Sequence, residues 1–393
     1  MAGKRVTIWT RDFILLFFIN NILFMGFQMI TPIIPKYTSD IGAGGAMLGL
    51  VTAVFAGASF LVRPIAGPAC DRFNKNLILC LSLCGLFLSI FAYNLSQNIL
   101  VLLLFRFLHG ICFGINQTAV STIVALILPE EKMSSGIGVF SLGMVVSMGA
   151  GPAVGIWLME DYGYAMLFST AGFFTAAAFL LTFFVSRQPV LPPVEKPASH
   201  GGSGGPGFLA PEAAVPSLVT FLNSFAFGVV STFLILHGED RGIGNVGVFF
   251  TVYAAALLVV RAVAGRVAER VSVNRILYPC SVFLCVSLVL LWGATSLAHL
   301  VAAAVIQGVC NGFAQPILQS MALLSVEPER RGVASGTYFM GVDLGNSAAP
   351  VAAGMVAAYY GYGAAFLFMV IPVSLGILVL LVGSRRAKKS AAS

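Results

Sequence analysis

The chain has 393 residues, 58% of them hydrophobic and only 9% charged, with a formal net charge of +7. Soluble globular chains carry about 25% charged residues, so the composition excludes a soluble enzyme or binding module and predicts an all-α membrane protein. The basic excess sits in short loops between long apolar runs, with no basic stripe interleaved with aromatics, which excludes nucleic acid as a partner.

A bilayer core needs about 20 apolar residues per helix. Segments of that length run over 12–35, 44–70, 77–95, 99–127, 134–158 and 164–186, and then over 216–238, 246–268, 276–296, 299–325, 333–358 and 364–383. The first has no small-residue cleavage site behind it and is followed by further spans, so it is expected to be a retained helix rather than a signal peptide. The run 333–358 is rich in Gly and Ala, as expected where membrane helices pack closely. The sixth and seventh segments are separated by a stretch with Pro189, Pro192-Pro193 and Gly201-Gly202-Ser203-Gly204-Gly205-Pro206, whose composition cannot bury a core. The expected organisation is an N-terminal six-helix bundle over 1–186, a flexible cytoplasmic linker over 187–215 and a C-terminal six-helix bundle over 216–393. The seven cysteines all lie in apolar segments without Cys-x-x-Cys spacing and the four histidines are scattered, so no zinc site, disulfide framework or other cofactor is expected.

The two halves repeat at a nearly constant offset of 198, the spacing between Arg63 and Arg261. At that offset Gly67 and Arg72 meet Gly265 and Arg270, and Asp71 meets Glu269. Gly110, Cys112, Gly114 and Gln117 meet Gly308, Cys310, Gly312 and Gln315, Pro152 meets Pro350, and Tyr162-Gly163-Tyr164 meets Tyr360-Gly361-Tyr362. An even number of spans per half gives both halves one orientation, as in parallel-repeat transporters. With both termini in the cytoplasm, Lys4, Arg5, Arg72, Lys75, Lys132, Arg187, Arg266, Arg270, Arg275, Arg330, Arg331 and the basic pairs at 385–386 and 388–389 fall inside, while only Lys36 and Arg241 fall in outside loops.

The loop after the second segment, Gly67-Pro68-Ala69-Cys70-Asp71-Arg72-Phe73-Asn74-Lys75, resembles the G-x-x-x-D-R-x-x-[RK] signature of the major facilitator superfamily, and Gly265-Arg266-Val267-Ala268-Glu269-Arg270 echoes it in the second half. Arg106-Phe107-Leu108-His109-Gly110 is similar to that family's intramembrane Arg motif, with His in place of the frequent Gln. Gly138, Gly151-Pro152 and Gly155 resemble its Gly/Pro antiporter motif, although Ser147 and Ile156 stand where the motif usually has Gly. The resemblance spans nearly the whole chain and points to the twelve-helix drug or metabolite:proton antiporter branch. It implies a fold of two rocking six-helix bundles, alternating access to a central site, and a small-molecule substrate. It also implies protons as a second partner and a multi-pass place in the inner membrane. One chain holds both bundles, so a monomer suffices.

What the resemblance implies for residues follows motif by motif. Asp71 caps or faces the start of the eleventh helix, where the dipole favours an anion, and Arg72 and Lys75 anchor the same side. Arg106 orders first-half packing or senses proton binding, and His109 titrates or donates a hydrogen bond. Asp343 is the one carboxylate well inside an apolar span, about ten residues or roughly 15 Å deep. A charge there costs on the order of 3 kcal/mol, so Asp343 is expected to be neutral, paired or hydrated. Because the second and eleventh helices face each other in the family's fold, an Asp343–Arg63 pair that protonation releases is the expected coupling device, with a static pair as its rival. Arg261 has no matching acid, since Asp343 corresponds to Val145. The helices that line the cavity in this fold carry Asn20, Asn21, Gln28, Asn116, Gln117, Asn223, Ser224, His237, Gln307, Asn311, Gln315 and Gln319, as interhelical glue or substrate contacts.

The reading is therefore a proton-coupled exporter of a small amphiphilic or zwitterionic molecule. A sugar or metabolite importer or facilitator is the rival within the class. An intramembrane lipid-processing enzyme is the rival outside it, but there is no His-Glu-x-x-His motif and no P-loop. The duplicated form does not suggest a channel.

Overall fold

A computed structural model describes residues 8–42, 45–187 and 208–390. The helices are α1 (Arg11–Ile30), α2 (Ile34–Asp40), α3 (Gly45–Arg72), α4 (Lys75–Phe91), α5 (Ile99–Ile127), α6 (Met133–Phe140) and α7 (Leu142–Thr182). After the linker come α8 (Ala214–Asp240), α9 (Val248–Arg270), α10 (Val273–Trp292), α11 (Leu297–Leu324), α12 (Arg331–Phe368) and α13 (Val370–Ser390). Local chemistry fixes several starts. Thr10, Asn74 and Asn98 each turn a side-chain oxygen onto free N–H groups of the first turn that follows. Apolar side chains such as Leu61, Leu81, Leu100, Phe173 and Val259 stay exposed on the helix faces, as lipid solvation allows.

Ten helical runs are long and apolar enough to cross a membrane. Two of them, at 53 and 56 residues, would reach about 80 Å if straight, more than twice a hydrocarbon core. Each is broken by one glycine: Gly163 has φ 82 and ψ 174, and Gly361 has φ 82 and ψ 166. That conformation is nearly closed to residues with a Cβ, so each of the repeated Tyr-Gly-Tyr triplets turns the chain on its glycine. The ten runs cover the expected segments, with the fifth and sixth joined in one run and the eleventh and twelfth in another. The short α2 was not expected. It packs Ile34 against Met29, Ile30, Tyr93 and Phe168 in a buried cluster.

The described residues fall into two compact units. The first takes in Met1–Glu130, Gly143–Pro211 and Leu323–Thr337, and the second takes in Glu131–Leu142, Glu212–Ala322 and Tyr338–Ser393. Each unit thus includes a short segment from the other half of the sequence. Most of the expected linker, 188–207, lies outside the described residues, as do Lys4 and Arg5. Its last residues differ from the expectation: Ala210 is buried with its N–H on Thr337 Oγ1 at 3.0 Å, and α8 begins at Ala214.

Both units use the repeat to bring helices together. A Cβ on Gly110 would lie 2.4 Å from the Phe55 carbonyl, and one on Gly308 would lie 2.7 Å from the Tyr253 carbonyl. Gly114 meets Val62 as Gly312 meets Val260. These contacts join α3 to α5 and α9 to α11 through equivalent residues, because backbones approach closely only where side chains are absent.

Candidate functional site

The end of α3 is built to receive the start of α12, within the first unit. A Cβ on Gly67 would lie 2.9 Å from Val333 Cα, and one on Gly332 would lie 2.5 Å from the Gly67 carbonyl. With the backbones this close, the Asp71 carboxylate accepts the N–H of Gly332 at 2.6 Å and of Val333 at 2.9 Å. These are orphan donors of a helix start, where the dipole also favours the anion. Arg331 donates to the Ala125 carbonyl at 2.7 Å and to Glu130 Oε1 at 2.5 Å. Lys75 is buried near Asp71, while Arg72 is exposed.

The second unit holds the echo with different chemistry. Gly265 stands against Ser135, where a Cβ would lie 1.9 Å from Ser135 Cα. Glu269, in the place of Asp71, takes the Lys132 ammonium at 2.6 Å. Arg261, buried at 2% exposure, donates to the Ser141 carbonyl at 3.1 Å and to Gln315 Oε1. Tyr338 donates its hydroxyl to the Gln315 carbonyl at 3.2 Å.

Along α5 the buried Arg106 donates from Nε to the Val51 carbonyl at 3.2 Å, and its guanidinium stands 4.5 Å from the Phe55 ring centroid. His109 is buried, with Nδ1 2.7 Å from the Tyr93 hydroxyl and its ring edge-on to Phe27 and Phe55. Phe27 stacks on Phe113 at 4.7 Å and on Phe55 at 5.4 Å. Sequence reasoning missed Tyr93 and this aromatic cluster, because neither carries a motif. The offset of the repeat could have drawn attention to positions 55 and 113, where the second half has Tyr253 and Asn311.

The antiporter-like residues of α7 face α1, except Gly138, which lies in α6 beside the Arg261 carbonyl. Gly143, Ser147, Gly151 and Gly155 fall four residues apart. In turn they meet Asn21, the Asn21 carbonyl and side chain, Gln28 and the Met29 carbonyl. Pro152 sits inside α7 beside this stripe. In the second unit Gly341 and Gly345 meet Ser217 and Phe221 of α8 in the same way.

The amide candidates have varied surroundings. Asn116 donates to Ser82 Oγ at 3.2 Å, and Asn311 to the Tyr253 hydroxyl at 3.3 Å. Among the described residues Asn20 Oδ1, Gln117 Nε2 and both amide atoms of Asn223 and Gln307 are buried without a hydrogen-bond partner. His237 donates from Nε2 to the Leu291 carbonyl at 2.9 Å, and Ser224 bonds within its own helix. Asp343 is half-buried on α12 in the second unit, and Ser347 donates to its carbonyl at 2.7 Å. Arg63 is buried on α3 in the first unit, 3.5 Å from Ser59 Oγ. Among the described residues no group of three or more His, Cys, Asp or Glu is gathered to hold a metal.

Known proteins are similar to this chain in sequence or in fold. The quinolone resistance protein NorA of Staphylococcus aureus is 28% identical over 179 residues, 46% of this chain and 46% of NorA, so the match spans about half of that relative. The multidrug resistance protein MdtG of Enterobacter lignolyticus is 25% identical over 87% of this chain and 84% of its own. The human organic anion transporter MFSD10 has the same fold, with a TM-score of 0.79 at 19% identity over 94% of this chain and 99% of its own. The transporter FucP also shares the fold, with a TM-score of 0.76 at 13% identity over 95% and 98%. A profile of the Major Facilitator Superfamily matches twice, over residues 16–215 and 216–393, one match to each repeat. The chain belongs to the Major Facilitator Superfamily of membrane transporters.

Proposed function

We propose that the protein exports small amphiphilic or zwitterionic molecules in exchange for protons, as a monomer working by alternating access. In this reading it lies in the cytoplasmic membrane with both termini inside. The observation that carries the reading is the likeness to MdtG, a multidrug resistance protein, over 87% of the chain. NorA, matched over half its length, is named for quinolone resistance. Quinolones with a basic ring substituent are zwitterions at neutral pH, the substrate class that the amide-rich spans suggest. The small-residue stripe from Gly143 to Gly155 further supports the antiporter branch, since it coincides with the Gly/Pro motif.

Asp343 is our candidate proton carrier. Ionised, a carboxylate at that depth carries an insertion cost of about 3 kcal/mol that its neutral form avoids. Protonation would therefore change the free energy of any state in which its surroundings dry or wet. The test is a pH gradient in inside-out membrane vesicles, read by a pH-sensitive dye while quinolones are added. We expect the wild type to dissipate the gradient on addition and Asp343→Asn to fall to background. If both respond alike, the coupling role of Asp343 is wrong. If neither responds while a quinolone still binds, export gives way to facilitated uptake.

A further inference from the structure

We infer that Arg261 receives a carboxylate group of the transported molecule, so that the substrate class narrows to aromatic carboxylates. This rests on the exporter reading above.

Arg261 lies nine residues before the end of α9 at Arg270, about 14 Å along the helix, and is 2% exposed. Its guanidinium meets two acceptors, the Ser141 carbonyl and Gln315 Oε1, and both are neutral. Its Nε is buried without a partner among the described residues. No carboxylate pairs with it among those residues. Glu269, the acid of its own helix, is engaged by Lys132, and Asp343 of α12 is not among its hydrogen-bond or ion-pair partners. A buried cation without a counter-ion is expensive, and such groups inside a membrane mark substrate or ion pathways. A guanidinium with one donor unused and another on a displaceable amide offers the forked geometry that fits a carboxylate.

The groups around it suit the rest of such a molecule. Tyr253 and Tyr338 are both buried, and Tyr338 donates its hydroxyl to the carbonyl of Gln315, the residue whose amide takes the guanidinium. The Tyr253 hydroxyl accepts from Asn311 at 3.3 Å, which leaves its own proton to donate. The Tyr253 ring stacks on Phe227 at 5.3 Å and parallel to Phe249 at 6.4 Å, aromatic surroundings that suit an aromatic body. Gln315 is only partly buried, so the amide that occupies the guanidinium is also the group a ligand could displace.

The duplication provides an internal control. At the positions of Tyr253 and Asn311 the first repeat carries Phe55 and Phe113, whose rings pack 5.4 Å apart. The first repeat therefore fills these two positions with apolar rings, and the packing of α3 on α5 does not by itself require Tyr253 and Asn311 at the equivalent places.

Binding is tested on the full-length protein in detergent, by calorimetry with a 4-quinolone-3-carboxylic acid and its methyl ester. We expect the wild type to prefer the acid by at least about thirtyfold, the range for breaking a buried charge pair. We expect Arg261→Gln to lose that preference. Gln315→Glu gives Arg261 an internal carboxylate, and we expect it to lose the preference while melting within a few degrees of the wild type. The site is refuted if the wild type binds neither compound or does not discriminate, or if either variant keeps the preference. Acid-selective, Arg261-dependent binding without gradient dissipation in vesicles would sink the exporter reading and leave the site standing. Proton-coupled export of acid and ester alike, unchanged in Arg261→Gln, would sink the site and leave the exporter.

Discussion

Asp71 ties the two ends of the sequence together with one carboxylate. Its two oxygens take the N–H groups of Gly332 at 2.6 Å and Val333 at 2.9 Å, donors that α12 cannot satisfy itself. An amide in the same place keeps the shape, turns one acceptor into a donor facing an N–H, and removes the charge that favours a helix start. The combined loss is about 1–3 kcal/mol. We therefore expect Asp71→Asn to speed amide hydrogen exchange at 332–335 by roughly fivefold to a hundredfold, with α4 unchanged. Equal protection in the variant would mean that the backbone contacts of Gly67 hold α12 alone. Glu269 occupies the equivalent place but meets the exposed Lys132 ammonium, with side-chain exposures of 37% for the lysine and 19% for the glutamate. Surface pairs of that kind contribute at most about 1 kcal/mol, so Glu269→Gln should disturb its own segment less.

Small residues at four-residue spacing decide how α7 lies on α1. The stripe Gly143, Ser147, Gly151 and Gly155 brings the backbones so close that a Cβ on Gly155 would sit 2.2 Å from the Met29 carbonyl. That carbonyl is main chain inside a helix and cannot swing away, so the helices would have to part. Gly149 lies on the same helix, and a Cβ there would meet nothing within 4 Å. Gly155→Ala should thus destabilise the protein by about 1–3 kcal/mol. Gly149→Ala should be neutral or slightly stabilising, since alanine is the better helix former. Thermal melts of both variants in one detergent check this, and equal melting temperatures would show that α1 and α7 are not held at this stripe. Glycines were visible in the sequence, but which of them bear a neighbour was not. Gly149 and Gly151 differ only in the face of the helix on which they fall.

At the scale of the whole chain, hydropathy and the offset repeat carried most of the architecture, because lipid demands long apolar helices and duplication preserves motifs such as Gly67 to Lys75. They did not carry partnerships between distant residues. Arg261 read as an arginine without an acid, and only the structure brings Ser141 and Gln315 to it and Tyr338 to Gln315. The amides read as one class, yet Asn116 is bonded to Ser82 while Gln307 is buried with both amide atoms unbonded among the described residues. The sequence halves also concealed the exchange of segments, because hydropathy is blind to which bundle a helix end joins. The first unit includes Leu323–Thr337 and the second includes Glu131–Leu142. A chain cut within 188–207 therefore yields two fragments that each lack a segment of their own unit. The C-terminal fragment loses the Ser141 acceptor of Arg261 and the Lys132 partner of Glu269. The N-terminal fragment loses both donors that Asp71 accepts. We expect each fragment expressed alone to be degraded or trypsin-sensitive, and the two expressed together to copurify and resist trypsin as the intact chain does. Fragments that are individually resistant would show that the exchanged segments contribute little, and that each repeat is a folding unit by itself.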